Sequence, residues 1–169
     1  MKLVRTAPEL YACAVCIERE AAERYREFAE RMADYGKDEV AEIFARLAVV
    51  EGEHLEALLG KSRGMALPAV APEVYRWIEA GAPDDAAREL VLRLMTPRQA
   101  LTIALGAELR AEAFFEQIFM TAEDAGLRAL AREMAEEELE HVVAIEKLID
   151  GLREPPLDWQ ETTEAAARR

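Results

Sequence analysis

Val, Ile and Thr are thin in this 169-residue chain, and no Asn-Gly pair occurs, so little in it favours hairpins and sheet. No apolar run approaches the ~20 residues of a membrane-spanning helix. No basic segment followed by an apolar one opens the chain, so no signal peptide is expected. The expected compartment is therefore the cytoplasm, where cysteines stay reduced. Lys and Arg form no cluster, and the formal net charge is −13. A nucleic-acid face is excluded, and an anionic membrane surface would repel the chain. Only two cysteines and two histidines are present.

What is there suits long amphipathic helices. Hydrophobic residues make up 51% of the chain, many of them Ala, and charged residues make up 33%. Four long helical segments are expected. The first covers about residues 7–35, with Thr6 and Glu9 as a capping box, Pro8 in the first turn and Gly36 as the stop. The second covers about 38–59, capped by Asp38 and followed by Gly60. The short Gly36-Lys37 joint implies an antiparallel helical hairpin.

Residues 61–96 break the pattern with Gly64, Pro68, Pro72, Gly81 and Pro83, leaving room for a short helix at about 84–95. Thr96, Pro97 and Gln99 open a third long helix that runs to about residue 122. The fourth runs over about 124–150, stopped by Gly151 and Pro155-Pro156. Residues 152–169 read as a tail in which Trp159 is the strong anchor. Two helical hairpins joined by a long crossover describe an all-α antiparallel four-helix bundle occupying residues 1–151.

Each helix has an apolar seam in steps of three and four residues. The seams are Tyr11, Ala14, Glu18, Ala21, Tyr25, Phe28, Met32; Val40, Phe44, Leu47, Glu51, His54, Leu58; Leu101, Ala104, Glu108, Ala111, Phe115, Ile118; and Leu127, Leu130 or Ala131, Met134, Glu138, His141, Ile145, Leu148. Each seam is apolar or aromatic except at one level. There, two helices offer one Glu each, and the other two offer Glu-x-x-His, whose spacing places both side chains on one face.

Four buried carboxylates would repel one another and be driven towards protonation. Two imidazoles cannot balance them, and no Lys or Arg shares the seams at this level. Two divalent cations would supply the missing charge. Carboxylate and imidazole ligands with open positions suit iron or manganese, and zinc binds such sets adventitiously. Both histidines follow a Glu by three residues. With 27 glutamates in 169 residues, chance alone gives that coincidence about 3% of the time. The halves also repeat: Glu18 precedes Tyr25 by seven residues and Glu108 precedes Phe115 by seven. Two such hairpins would pack with pseudo-two-fold symmetry.

Glu18-x6-Tyr25, Glu51-x-x-His54, Glu108-x6-Phe115 and Glu138-x-x-His141 resemble the diiron domain of rubrerythrins, in the ferritin-like superfamily, over about residues 7–150. The resemblance implies a ferritin-like bundle holding two iron ions. Glu51 and Glu138 would bridge the ions, Glu18 and Glu108 would be terminal carboxylates, and His54 and His141 would bind one ion each. Tyr25 matches a tyrosine that hydrogen-bonds to the carboxylates, and Phe115 lacks the corresponding hydroxyl.

The chain departs from that pattern in two ways. Cys13-x-x-Cys16 is its single pair, so it has no internal rubredoxin domain. The extra carboxylate that rubrerythrins carry three residues after the third-helix Glu is Ala111 here, with Glu112 one position on.

The implied activity is non-haem diiron oxidoreduction of hydrogen peroxide or dioxygen, with an external electron donor such as a rubredoxin and a homodimeric assembly. A ferroxidase or iron carrier is the alternative, and a sensor or interaction protein stabilised by its metal is a third reading. Cys13 and Cys16 lie opposite Glu18 in the apolar stretch 10–17, a face expected to point away from the bundle towards a second subunit. Packed thiols are the favoured reading there, ahead of a redox dithiol or a structural metal site. Phe114, Phe119, Tyr75 and Trp77 read as packing residues. Glu20, Glu23, Glu27, Glu53, Glu56, Glu137 and Glu140 read as a solvated face.

Overall fold

A computed structural model describes residues 4–72 and 93–152. Their long elements are four helices: α1 (Ala7–Asp34), α2 (Asp38–Lys61), α3 (Pro97–Thr121) and α4 (Ala125–Gly151). α1 packs along α2 and α3 along α4, as two hairpins. The all-α four-helix bundle is thus as expected. The expected helix at 84–95 lies outside the described residues except for its last three. The tail with Trp159, and Tyr75 and Trp77, also lie outside them.

The helix starts follow their local chemistry. Thr6 Oγ1 accepts a hydrogen bond from the Glu9 amide, and the Glu9 carboxylate accepts one from the Thr6 amide. Thr96 and Gln99 repeat this reciprocal cap on α3. Asp124 caps α4 by accepting from the Leu127 amide at 2.7 Å.

α2 differs from expectation. Lys37 is its boundary residue, no side chain caps it, and Asp38 is its first helical residue. The reason lies in how α1 ends. Gly36 takes a left-handed φ of 67°, its amide donates to Ala33 O at 2.9 Å, and the Lys37 amide donates to Met32 O at 2.8 Å. This closure ties Lys37 to α1, so α2 starts on the next residue. Asp38 still acts through its charge in the first turn. α2 also runs through Gly60 to Lys61 rather than stopping at residue 59.

Two apolar clusters fill the bundle. One gathers Leu10, Tyr11, Val15, Leu58, Phe114, Phe115, Leu127 and Met134, where α1 and α4 start and α2 and α3 end. The other gathers Tyr25, Met32, Val40, Phe44, Leu101 and Ile145 at the opposite end. A crossover is therefore required between the end of α2 and the start of α3. Leu67 and Val70 pack against the first cluster, and Met95 is buried in the second.

Three expectations about side chains change. Cys13 is buried in the first cluster with Leu10, Tyr11, Ala14, Val15 and Ile17, and Cys16 is half-buried, so the chain's own residues cover most of that face. Glu20 is buried and paired with Arg24 at 2.9 Å rather than solvated. Leu148, placed in the fourth seam, is 51% exposed. Among the described residues no helix is long and apolar enough to cross a membrane.

Candidate metal centre

Between the two apolar clusters, one layer is polar. Glu18, Glu51, Glu108 and Glu138 are only 3–6% exposed there, although each is a carboxylic acid. One comes from each helix. The three- and four-residue step that buries Leu58, Phe115 or Met134 also buries these carboxylates at mid-helix. His54 and His141 join them from α2 and α4, their rings stacked at 4.4 Å between centroids.

The carboxyl groups meet in two pairs. Glu18 and Glu51 act on each other's proton affinity, and Glu108 acts on that of Glu138. Burial, and then the neighbouring carboxylates, supply the reason a proton stays. Burial pushes the Glu18 carboxyl up to about 8, against a smaller opposing effect of Glu51. Burial raises Glu51 well above the ordinary carboxylate range, helped by Glu18 and Glu108. Burial likewise raises Glu138, with Glu108 and Glu51 adding to it. The leading charges on these groups are thus other carboxylates.

The histidines respond in opposite directions. Burial lowers the His54 pKa, and His141 beside it adds to the effect. Burial also works against a charged His141, but Glu108 and Glu51 outweigh it and raise its pKa.

Two groups of side chains bring potential ligand atoms within 4.8 Å of one another: Glu51, His54 and His141, and Glu108, Glu138 and His141. Five of the six residues anticipated as ligands are therefore gathered, with His141 common to both groups. Glu18 lies outside both and meets the set through Glu51. Tyr25 is also where the sequence places it. It is fully buried, and its hydroxyl donates to Glu108 Oε1 at 3.2 Å. Burial and the Glu108 charge raise the phenol pKa well above its usual value, so it remains a neutral donor. Phe115, equally buried, offers its apolar ring alone.

Divalent cations fit this donor set. The raised carboxyl groups of Glu18, Glu51 and Glu138 hold protons that a cation can replace. The His54 Nδ1 atom is shielded from solvent and has no hydrogen-bond partner. A buried ring nitrogen without a partner is costly in a folded protein, and coordination to a metal would satisfy it.

Sequence reasoning read Glu137 only as part of a solvated face and passed over Lys61. Lys61 Nζ lies 2.8 Å from Glu133 Oε1 and 3.4 Å from Glu137 Oε1 at the exposed rim. Glu137 acts electrostatically on Glu18, His54, Glu138 and His141. Spacing puts Lys61, seven residues after His54, on the same helical face, but does not show that it meets Glu133 and Glu137 on α4. Cys13 and Cys16, by contrast, are free thiols whose pKa values rise chiefly through burial, Cys13 to about 11. They are protonated at neutral pH and act as packing residues.

A sequence model of the rubrerythrin family matches residues 9–72, which contain α1 and α2 with Glu18, Tyr25, Glu51 and His54. The crystal structure of an uncharacterised conserved protein from Magnetospirillum magnetotacticum MS-1 is similar to the whole bundle. Its TM-score is 0.74 at 32% sequence identity, over 90% of this chain and 99% of that one. No curated protein matches the chain.

Proposed function

Because the chain belongs to the rubrerythrin-type ferritin-like proteins, we propose that it is a diiron oxidoreductase reducing hydrogen peroxide or dioxygen. Glu18, Glu51, His54, Glu108, Glu138 and His141 would hold the two ions. The observation that carries this reading is the burial of four mutually repelling carboxylates at one depth, beside a histidine nitrogen with no partner. Such a layer is expensive without cations and balanced with two.

A ferrous pair supplies two electrons, one from each ion, which is the number peroxide reduction to water needs. The chain's own groups do the rest. Glu51 and Glu138, whose carboxyl groups burial favours in the protonated form, would each give up a proton on binding a cation. Tyr25 fixes one oxygen of Glu108 and leaves the other facing His141. The apolar clusters above and below exclude water from the layer, which strengthens its electrostatics. His54, with its side chain 37% exposed, is the most open of the six, and a small oxidant would reach the layer beside it. An external one-electron donor would return the site to its reduced state.

The test is anaerobic loading with Fe(II), followed by hydrogen peroxide or dioxygen with iron oxidation monitored optically. Rapid stoichiometric oxidation by one of them is expected. Slow oxidation by both rejects the oxidoreductase reading.

A further inference from the structure

The two halves of the layer are built from matching sequence motifs but are supported unequally. In one half, Glu108 receives the Tyr25 hydroxyl at 3.2 Å on one oxygen, and His141 Nδ1 lies 3.3 Å from the other. The same nitrogen lies 3.6 Å from Glu138, and its side chain is 16% exposed. These three residues form a complete group of converging ligand atoms. In the other half, His54 Nδ1 is 4.0 Å from Glu51 and its side chain is 37% exposed. Glu18 stands outside the converging atoms, and the group there is completed only by borrowing His141. The residue at the position equivalent to Tyr25 is Phe115, which has no hydroxyl to donate.

Ligands already held in place lose less freedom on binding, and hydrogen-bonded partners behind them set their orientation. We propose that the two metal positions are inequivalent: the first divalent cation is taken by Glu108, Glu138 and His141, and the second, weaker one by Glu18, Glu51 and His54. Tyr25 is the positioning residue that creates the difference. The second ion also leaves first, past the exposed His54. This inference rests on the two-ion reading above and specifies how that site fills.

Mn(II) titrated into the metal-free full-length protein, followed by calorimetry and electron paramagnetic resonance, tests it without calling on activity. Two ions per chain are expected in two steps separated by at least about tenfold in affinity. His54→Ala removes the weaker step and leaves the tighter one, and His141→Ala removes the tighter one. Tyr25→Phe keeps the ring in the core and weakens only the tighter step, by roughly ten- to a hundredfold. A general loss of structure would weaken both steps together, so the selectivity of Tyr25→Phe is the deciding readout. Two steps of equal affinity, or a Tyr25→Phe effect shared by both, overturn the inference and leave the two-ion reading standing. Uptake of fewer than two ions overturns that reading, and the inference with it.

Discussion

The ends of the bundle and the layer between them obey different physics. At the ends, residues such as Leu10, Phe44, Leu101 and Ile118 are buried among other apolar groups, and burial alone favours the folded state. In the middle, the same helical step delivers carboxyl groups to the same depth, and burial there opposes folding unless a proton or a cation neutralises them. A regular amphipathic pattern thus builds both regions. What separates them is whether the group arriving in the core brings its own reward for leaving water.

Substitutions of similar size should therefore act with opposite sign in the two regions. The largest effect is expected from Phe44→Ala, which removes the ring packed against both Tyr25 and Phe28. It should cost about 3–5 kcal/mol with or without metal, measured by denaturant unfolding. An effect confined to the metal-bound form would break the separation of the two regions.

Next in size is a pH effect peculiar to the middle layer. Glu18 rises from an ordinary 4.5 to about 8 on folding. Between those values the folded chain binds more protons than the unfolded one. Through Glu18 alone the stability of the metal-free protein should accordingly fall, by up to a few kcal/mol, as pH rises from about 4.5 to about 8, and Glu51 and Glu138, also raised well above the ordinary range, add to the fall. Metal affinity should rise over the same range, because each incoming cation displaces a proton. Unfolding curves across that range check the slope, and a metal-free stability that climbs with pH would contradict it.

Replacing one carboxyl pair by apolar groups of similar volume sharpens the contrast. The double variant Glu18→Met with Glu51→Met should stabilise the metal-free protein by about 1–4 kcal/mol at pH 8 while abolishing uptake of one ion. Unfolding and metal analysis on the same preparation measure both. The smallest effect belongs to the periphery of the ends: Thr6→Ala removes the α1 cap and should cost about 1 kcal/mol, without changing metal content.

Much of this was legible in the sequence, for reasons particular to each element. The caps at Thr6 and Thr96 are short-range chemistry between residues three apart, and such signals survive folding unchanged. The six polar seam residues were legible because helical periodicity converts spacing into a shared face. Asp38 was misplaced because the closing turn of α1 claims Lys37, a competition that reading α2 by itself does not reveal. Glu20 and the stretch 10–17 were misjudged because periodicity tells which side of a helix faces its hairpin partner but not what else covers the other side. The stacking of His54 on His141 and the Lys61 bridge to Glu133 and Glu137 depend on the distance between α2 and α4, which no single-helix pattern encodes.

The central claim, that the middle layer requires cations, is tested most directly by the unfolding midpoint at pH 8 under argon, with and without saturating Fe(II). A marked rise in the midpoint on adding Fe(II), reversed by a chelator, is predicted. An identical midpoint in both conditions would contradict it.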